Sequence, residues 1–576
     1  MTQYEVELLD SLEKVGFPGG ALPLGIPGGH GNLQLLSDTA AAYPRPMGCS
    51  TLYALGGETV AFQVAARAER DKVGNGERLA VQLSGDLAGQ VCIRRVGLEP
   101  VTLPAYPCAD NNYLTKTPAM IPDQLLPLEE GEKTEIVCIG ENWNALWLDI
   151  TLPRDTPAGS HPLTITVFNP EGEQIFTRTL TVKALGEPLP PQTLFHTQWF
   201  HCDCLANYYK VPAWSEEHWQ IVDRYMAAAH KIGINMLLTP IFTPALDTAV
   251  GGERTTNQLL EVTVTNGSYS FGFDRLERWL ALCRKNGITE LEICHLFTQW
   301  GAAAAPKVIA TVDGVQKRIF GWDTPSVGGK YTAFLRTLLP QLKEWLAARD
   351  MLEHAWFHVS DEPSEENMEQ WNAARLSVAD LLEGCHLIDA LSSFKMYEKG
   401  FIKTPVVCED NLDIFAQANI PGLWTYYCCG QFDEVPNRFI AMPTARSRIL
   451  GTLLYVYDLA GFLQWGFNFY NNAGSTKQLN PWRDADGQGV WPAGDPFIVY
   501  PGEDGFPIES IRASGVREAM QDLRWLRFAE QKLGRETVLA ILEQNWQGGK
   551  LTMKHYPTDP AYFGKVRRAL VEKIGL

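Results

Sequence analysis

The chain has 576 residues, of which 45% are hydrophobic, 20% charged and 11% aromatic, a composition that excludes a disordered or low-complexity scaffold. Its 49 Lys and Arg stand against 67 Asp and Glu, a net charge of −18. Such a chain repels phosphate backbones, and no basic run offers a local exception, so nucleic acid is not an expected partner. No apolar stretch reaches the ~18 residues of a membrane-spanning helix, so no membrane partner is expected either.

The opening MTQYEVELLDSLEKVGFPGG carries acids and no continuous apolar run, and does not read as a signal peptide. Twelve cysteines are irregularly spaced. Several, such as Cys138, Cys294 and Cys408, sit in apolar runs where a thiol behaves as a small hydrophobe. A reduced, cytoplasmic protein is the simplest expectation.

Residues 1–185 read as an all-β domain. Alternating or apolar runs recur at 58–68, 78–85, 134–140, 145–152, 161–168 and 174–182, separated by Gly, Pro and Asp turns, which predicts a β-sandwich. The segment GEPLPPQ (186–192) reads as a stiff linker.

From 193 the rhythm changes. Strand-like runs lie at 194–200, 234–240, 291–297, 355–363, 385–393, 404–410, 422–428 and 461–469. Between them lie amphipathic segments, among them 215–233, 273–287, 331–350 and 364–384. This alternation predicts a (β/α)₈ barrel over residues 193–508. The near-continuous apolar runs suit strands covered on both faces. An open doubly wound sheet fits less well, since no Gly-rich phosphate loop follows the first strand. Residues 509–576 read as a helical segment packed on the barrel, starting with a long helix over 508–534.

In such a barrel the chemistry sits at the C-terminal ends of the strands. Those ends carry His201 and Asp203, then His295 and Gln299, then His358, Ser360, Asp361 and Glu362. They continue with Glu409, Asp410 and Asn411, then Tyr426 and Tyr427, then Trp465 and Asn468. The 17 Trp, 19 Tyr and 25 Phe, many beside hydrogen-bonding residues, suit a carbohydrate, whose rings have apolar faces and a polar rim. Core packing accounts for many of them, and Trp322 and Trp465 fit either role.

Asp361-Glu362 is the sharpest signal. Successive strand residues point opposite ways, so one of the two is expected to leave the strand for the mouth as the chain turns. A pair in one pocket can hold one acid and one anion, which glycosidic cleavage requires. The bland alternative is that Asp-Glu-Pro-Ser-Glu-Glu merely supplies acids to the start of the 364–384 helix. Strand 7, GLWTYYCCG, offers no carboxylate, only Tyr426 and Tyr427. A 2-acetamido group of the substrate could then be the nucleophile, closing on C1 as an oxazoline. Glu409 and Asp410 remain rival nucleophiles for sugars without the acetamide. A non-catalytic carbohydrate-binding protein is the third reading.

Other motifs carry little. His201-Cys202-Asp203-Cys204 has metal-capable groups but no second ligand pair, so no metal is expected. Cys428-Cys429 lacks redox spacing. Asn266-Gly267 is a hairpin turn signal. Asp495 and Tyr500 lie in a loop that could fold over the mouth.

Four segments together carry a family resemblance. FHVSDEP, GFLQWGFNFYNN (461–472), GDPFIVYPGEDGFPIESIR (494–512) and MIPDQLLPL (120–128), spread over about 40–535, resemble glycoside hydrolase family 123. The family consists of N-acetyl-β-galactosaminidases and relatives, with a β-sandwich before a (β/α)₈ barrel. The resemblance implies a retaining, substrate-assisted hydrolase of β-linked N-acetylhexosamine, without metal or organic cofactor. Asp361 would orient the acetamide and stabilise the oxazolinium, and Glu362 would be the acid and then the base. His201, Asp203, His295, His358, Tyr426, Tyr427, Trp465 and Asn468 are the expected substrate-binding residues.

Overall fold

The computed structural model describes residues 4–15, 46–48, 50–68, 76–139 and 142–576. The N-terminal region is β-rich. One five-stranded sheet contains Tyr4–Asp10, Thr59–Ala68, Asn144–Thr151, Val91–Val101 and Ala119–Pro127 in spatial order. A second contains Thr51–Gly56, Gln174–Pro188, Gly159–Phe168, Glu77–Gly85 and Glu135–Cys138. Alternate residues of both, such as Phe62, Val64, Leu146, Leu148, Leu163, Ile165 and Leu180, meet in one core cluster. Period-two patterning places them there, because successive strand side chains face opposite sides.

The predicted linker is not free. The strand ending at Pro188 carries the chain to Leu189, whose N–H donates to the Gly56 carbonyl at 2.8 Å. Leu185 and Leu189 pack with Trp525 and Phe528 of the C-terminal region. The prolines stiffen the segment as expected, but burial of two leucines fixes it.

Eight parallel strands close into a barrel: Phe195–Gln198, Met236–Thr239, Glu290–Ile293, Ala355–Phe357, His386–Leu391, Thr404–Cys408, Trp424–Tyr426 and Gly461–Gln464. The last pairs with the first, His196 opposite Phe462. Strands such as Met236–Thr239 are buried at every position. The helix Glu216–Lys231 illustrates how the sequence sets the outer ring. Ser215 caps it by accepting from the His218 N–H, two glutamates occupy its first turn, and Trp219, Val222, Tyr225, Met226 and Ala229 recur on its buried face.

A four-stranded sheet, Ser268–Gly272, Glu261–Thr265, Val308–Val312 and Val315–Phe320 in spatial order, grows from the loops after barrel strands 2 and 3. Asn266-Gly267 is its first hairpin turn, both residues at positive φ. The unanticipated second hairpin turns at Asp313-Gly314 in the same way.

The helix Ile511–Leu533 is wedged between the two regions rather than laid on the barrel alone. Gln521 exchanges two 2.9 Å hydrogen bonds with the backbone of Thr59. Asp149 of the first sheet binds Arg94 and Arg517, and Glu509 reaches Arg94 at 2.8 Å and Lys231 at 2.5 Å. Arg512 binds Asp123, which also accepts from the Tyr500 hydroxyl at 2.6 Å.

Candidate active site

The strand ends converge on one cleft. Trp199, Trp300, Trp465 and Trp491 form its aromatic wall, and His201, Asp247, Gln299, Asp361, Glu362 and Tyr426 its polar one. Barrel strand 4 delivers the two acids. Beyond Phe357 the chain keeps strand register, with Leu296 and Phe297 N–H groups donating to the carbonyls of His358 and Val359. The Ser360 hydroxyl then ties to the Thr298 carbonyl at 2.7 Å, and the Trp300 N–H to the Asp361 carbonyl at 3.0 Å. Glu362 adopts φ +40°, a conformation that costs a residue with a side chain about 1–3 kcal/mol and is typical of functional sites. This turn lets adjacent carboxyls line one cavity.

The helix that follows begins only at Met368, after a turn in which the Ser364 N–H donates to Asn367 Oδ1 at 2.8 Å. Asp361 and Glu362 therefore lie outside its first turn, and helix capping does not account for them.

Behind the pair lies a fully buried charge network. His358 sits between Glu292 at 2.7 Å and Asp389 at 3.3 Å. Burial works against its charge, but hydrogen bonds to the two carboxylates prevail and raise it to about 9, so the imidazolium persists at neutral pH. Glu292 also accepts from the Trp199 indole at 2.7 Å, which fixes the ring at the cleft wall. His295 stacks on His358 at 4.2 Å, and burial with that neighbouring charge keeps it neutral. His295, His358 and Asp389 bring potential ligand atoms within 4.8 Å of one another. Both His358 nitrogens are already engaged by carboxylates, so protons do there what a cation would do.

Burial pushes the Asp361 carboxyl well above the ordinary range. Glu362 adds to that rise and His358 opposes it. Burial also raises Glu362, against a 2.8 Å hydrogen bond donated by the Tyr426 hydroxyl to its Oε1. Two neighbouring buried carboxyls oppose each other's ionisation, so the pair holds its protons more tightly than free carboxyls do. Asp247, also raised by burial, to about 6, lies on the same wall.

This geometry can be set beside known proteins. Residues 199–529 match the family model described as glycoside hydrolase 123, catalytic domain. The chain belongs to glycoside hydrolase family 123. It is a glycosidase, and its substrate is a carbohydrate. A family 123 glycoside hydrolase from Clostridium perfringens, studied for glycolipid glycan hydrolysis, superposes with TM-score 0.69 at 13% identity, covering 100% of this chain and 98% of that one. The β-glucuronidase of Bifidobacterium dentium gives only 0.31 at 7% identity, over 80% of this chain and 62% of its own. No curated protein matches the sequence.

In this family 123 chain the predicted residues divide. Asp361, Glu362, His201, Tyr426 and Trp465 line the cleft. His201 is neutral, held near 3 by burial and then by the Arg254 charge, with Nε2 on the Trp465 carbonyl at 2.9 Å. The other expected substrate-binding residues lie off the lining. Asp203 is fully buried and paired with Arg254 at 2.6 Å. Asn468 is consumed by the backbone of His201, accepting from its N–H at 2.9 Å and donating to its carbonyl at 3.2 Å. Tyr427 points into the core against Phe462. His358 acts on Asp361 through its charge, and His295 stacks on His358.

Of the rival nucleophiles, Glu409 is fully buried, neither carboxyl oxygen has a hydrogen-bond partner among the described residues, and burial raises it far above the usual range. Asp410 accepts from Gln431 at 2.9 Å. Neither lines the cleft. Asp495 and Tyr500 do not cover the mouth: Asp495 is buried and holds the Trp465 indole at 2.9 Å, while Tyr500 faces Asp123. Trp322 is half-buried and off the cleft lining.

Asp247, Trp300 and Trp491 were not anticipated. Asp247 and Trp300 follow strands 2 and 3 at positive φ, where loop conformation rather than residue pattern aims the side chain. Of the four segments that carried the resemblance, 494–512 meets 120–128 where Tyr500 and Arg512 bind Asp123, and meets 461–472 where Asp495 holds Trp465.

Proposed function

We propose that the cleft hydrolyses β-linked N-acetylhexosamine, galacto-configured, with retention and with the substrate's own acetamide as nucleophile. The observation that carries this reading is the Asp361–Glu362 pair in a tryptophan-walled cleft, backed by the His358 imidazolium, with both strand-6 carboxylates outside its lining.

The steps follow from charge. Glu362 gives its proton to the leaving oxygen while the acetamide carbonyl closes on C1. Asp361 accepts the amide N–H and faces the positive charge that develops on the ring. In the empty cleft both acids compete for one proton; the cationic ring stabilises Asp361 as the anion and leaves the proton on Glu362. Tyr426 holds Glu362 in place at 2.8 Å. Glu362, now a carboxylate, takes a proton from water as that water opens the oxazoline. His201, Trp465 and Asp247 bind the sugar. The free cysteines, eleven among the described residues with Cys49 outside them, suit a cytoplasmic protein.

The deciding experiment is a set of aryl β-glycosides with and without the 2-acetamido group, in galacto and gluco forms. Turnover is expected only with the acetamide and faster with the galacto form. A glycosyl ester trapped on Asp247, Glu409 or Asp410 by a 2-fluoro sugar would overturn the scheme, since an oxazoline route leaves no enzyme ester.

A further inference from the structure

Cys428 and Cys429 both line the cleft, and the reaction proposed for it uses neither. Barrel strand 7 ends at Tyr426, and just beyond it the chain turns, with the Gln431 N–H donating to the Cys428 carbonyl at 3.1 Å. In a continuing strand, neighbouring side chains would face opposite sides. Here the turn leaves both residues on the cleft lining, with their thiols close enough to interact directly. Both are half-buried and neither is in a disulfide. The Cys428 thiol donates to Gln431 Oε1 at 3.4 Å, and the Gly430 N–H donates to its sulfur at 3.5 Å. Beside them stands Asp495, which faces the Cys429 N–H and holds the Trp465 indole at 2.9 Å. Cys202 and Cys204, the other closely spaced pair in the sequence, are fully buried and out of reach of solvent.

We infer that Cys428 and Cys429 form a dithiol site for soft thiophiles that bind two sulfurs at once, the class of trivalent arsenicals, and that its occupancy blocks the cleft. The inference rests on the cleft being where the glycoside is cleaved, and not on participation of an acetamide. A monosubstituted arsenic oxide carries one As=O bond. Each thiol forms an As–S bond, the As=O bond breaks, and its oxygen leaves as water with the two thiol protons. Nothing is oxidised or reduced. The neighbouring Cys429 thiol, burial and the charges of Glu362 and Asp495 hold the Cys428 thiol protonated, well above the ordinary range. That disfavours reagents that need a free thiolate, such as peroxides and alkylating agents. It does not disfavour a reagent whose own oxygen takes up the protons. Two adjacent sulfurs also supply the second bond at high effective concentration, which a lone thiol cannot. Once bound, the arsenic and its substituent stand in the space that Glu362, Tyr426 and Trp465 also line.

The test treats the full chain with phenylarsine oxide and reads intact mass, the modified peptide and turnover of an aryl glycoside. After a monothiol wash the wild type is expected to retain one arsenical, bridged between Cys428 and Cys429, and to be inactive until 2,3-dimercaptopropanol removes it. Cys428→Ser and Cys429→Ser each leave a single sulfur. For each, the arsenical concentration that halves its own untreated activity is expected to rise about a hundredfold or more. The absence of arsenical from this peptide overturns the site, as does reversal by the monothiol alone or wild-type sensitivity in both variants. An adduct here that leaves turnover intact overturns the blockade. If Glu362→Gln is then as active as the wild type, the reading of the cleft as the site of cleavage falls too; if Glu362→Gln is inactive, only the blockade falls.

Discussion

Asp361→Asn keeps the shape of the side chain and removes its charge. The residue is 9% exposed, so little water is at hand to replace the lost interaction. A carboxylate about 4 Å from a developing unit charge contributes about 4 kcal/mol at an effective dielectric of about 20. Removal of a preorganised charge-stabilising group costs about 3–4 kcal/mol in measured cases, or two to three orders of magnitude in rate. The His358 imidazolium behind the site, no longer opposed by Asp361, adds to the loss. With an aryl N-acetyl-β-galactosaminide, kcat is therefore expected to fall at least a hundredfold while KM changes little, the pattern of an interaction made mainly in the transition state. A thiazoline analogue of the cyclised sugar is expected to bind the variant at least a hundredfold more weakly. A kcat within about fivefold of wild type, or a loss confined to KM, would refute the electrostatic role of Asp361.

Glu362→Gln is expected to slow glycosides with poor leaving groups far more than activated aryl ones, read as the slope of log kcat/KM against leaving-group pKa; an unchanged slope removes it as the acid. Tyr426→Phe deletes a hydrogen bond that lowers the Glu362 pKa, so the alkaline limb of the kcat/KM profile is expected at higher pH, and a downward shift contradicts the pairing. Glu509, held near 2 by Arg94, Lys231 and Arg517 against the cost of burial, lies below its unfolded value of about 4.3. Its stabilising contribution is complete above that unfolded value and fades as pH falls toward 2. Glu509→Gln is expected to cost about 3 kcal/mol at neutral pH in urea unfolding, a difference that vanishes toward pH 2.

The barrel was legible because each strand is a short apolar run that ends in polar residues, and the alternation with amphipathic helices has few other solutions. Glu362 and Asp361 were legible because two acids cannot both rest against a barrel core. The remaining site residues were harder to assign. Asp203 and Trp465 look alike in sequence, each a polar or aromatic residue just past a strand. Only the buried Arg254, supplied from a loop far along the chain, turns Asp203 inward. Asp247 and Trp300 owe their aim to positive φ in loops, which side-chain pattern does not encode. The expectation that the 364–384 segment begins its helix at once failed for a related reason. Pro363 and the turn at Ser364–Asn367 delay it to Met368.

The wedge helix bears on how such a chain can be inherited. Asp149 belongs to the β-rich region, yet the arginines that balance it come from both Arg94 nearby and Arg517 of the helix. Glu58 and Asp522 share Arg567 across the same junction. Cutting the gene between the two regions strands these ions, and a buried charge that loses its partner costs about 3–5 kcal/mol. A recombination event that exchanged the front half would succeed only if the incoming half carried acids at matching places. The two regions are thus bound to travel together, tied by the charges that each supplies to the other.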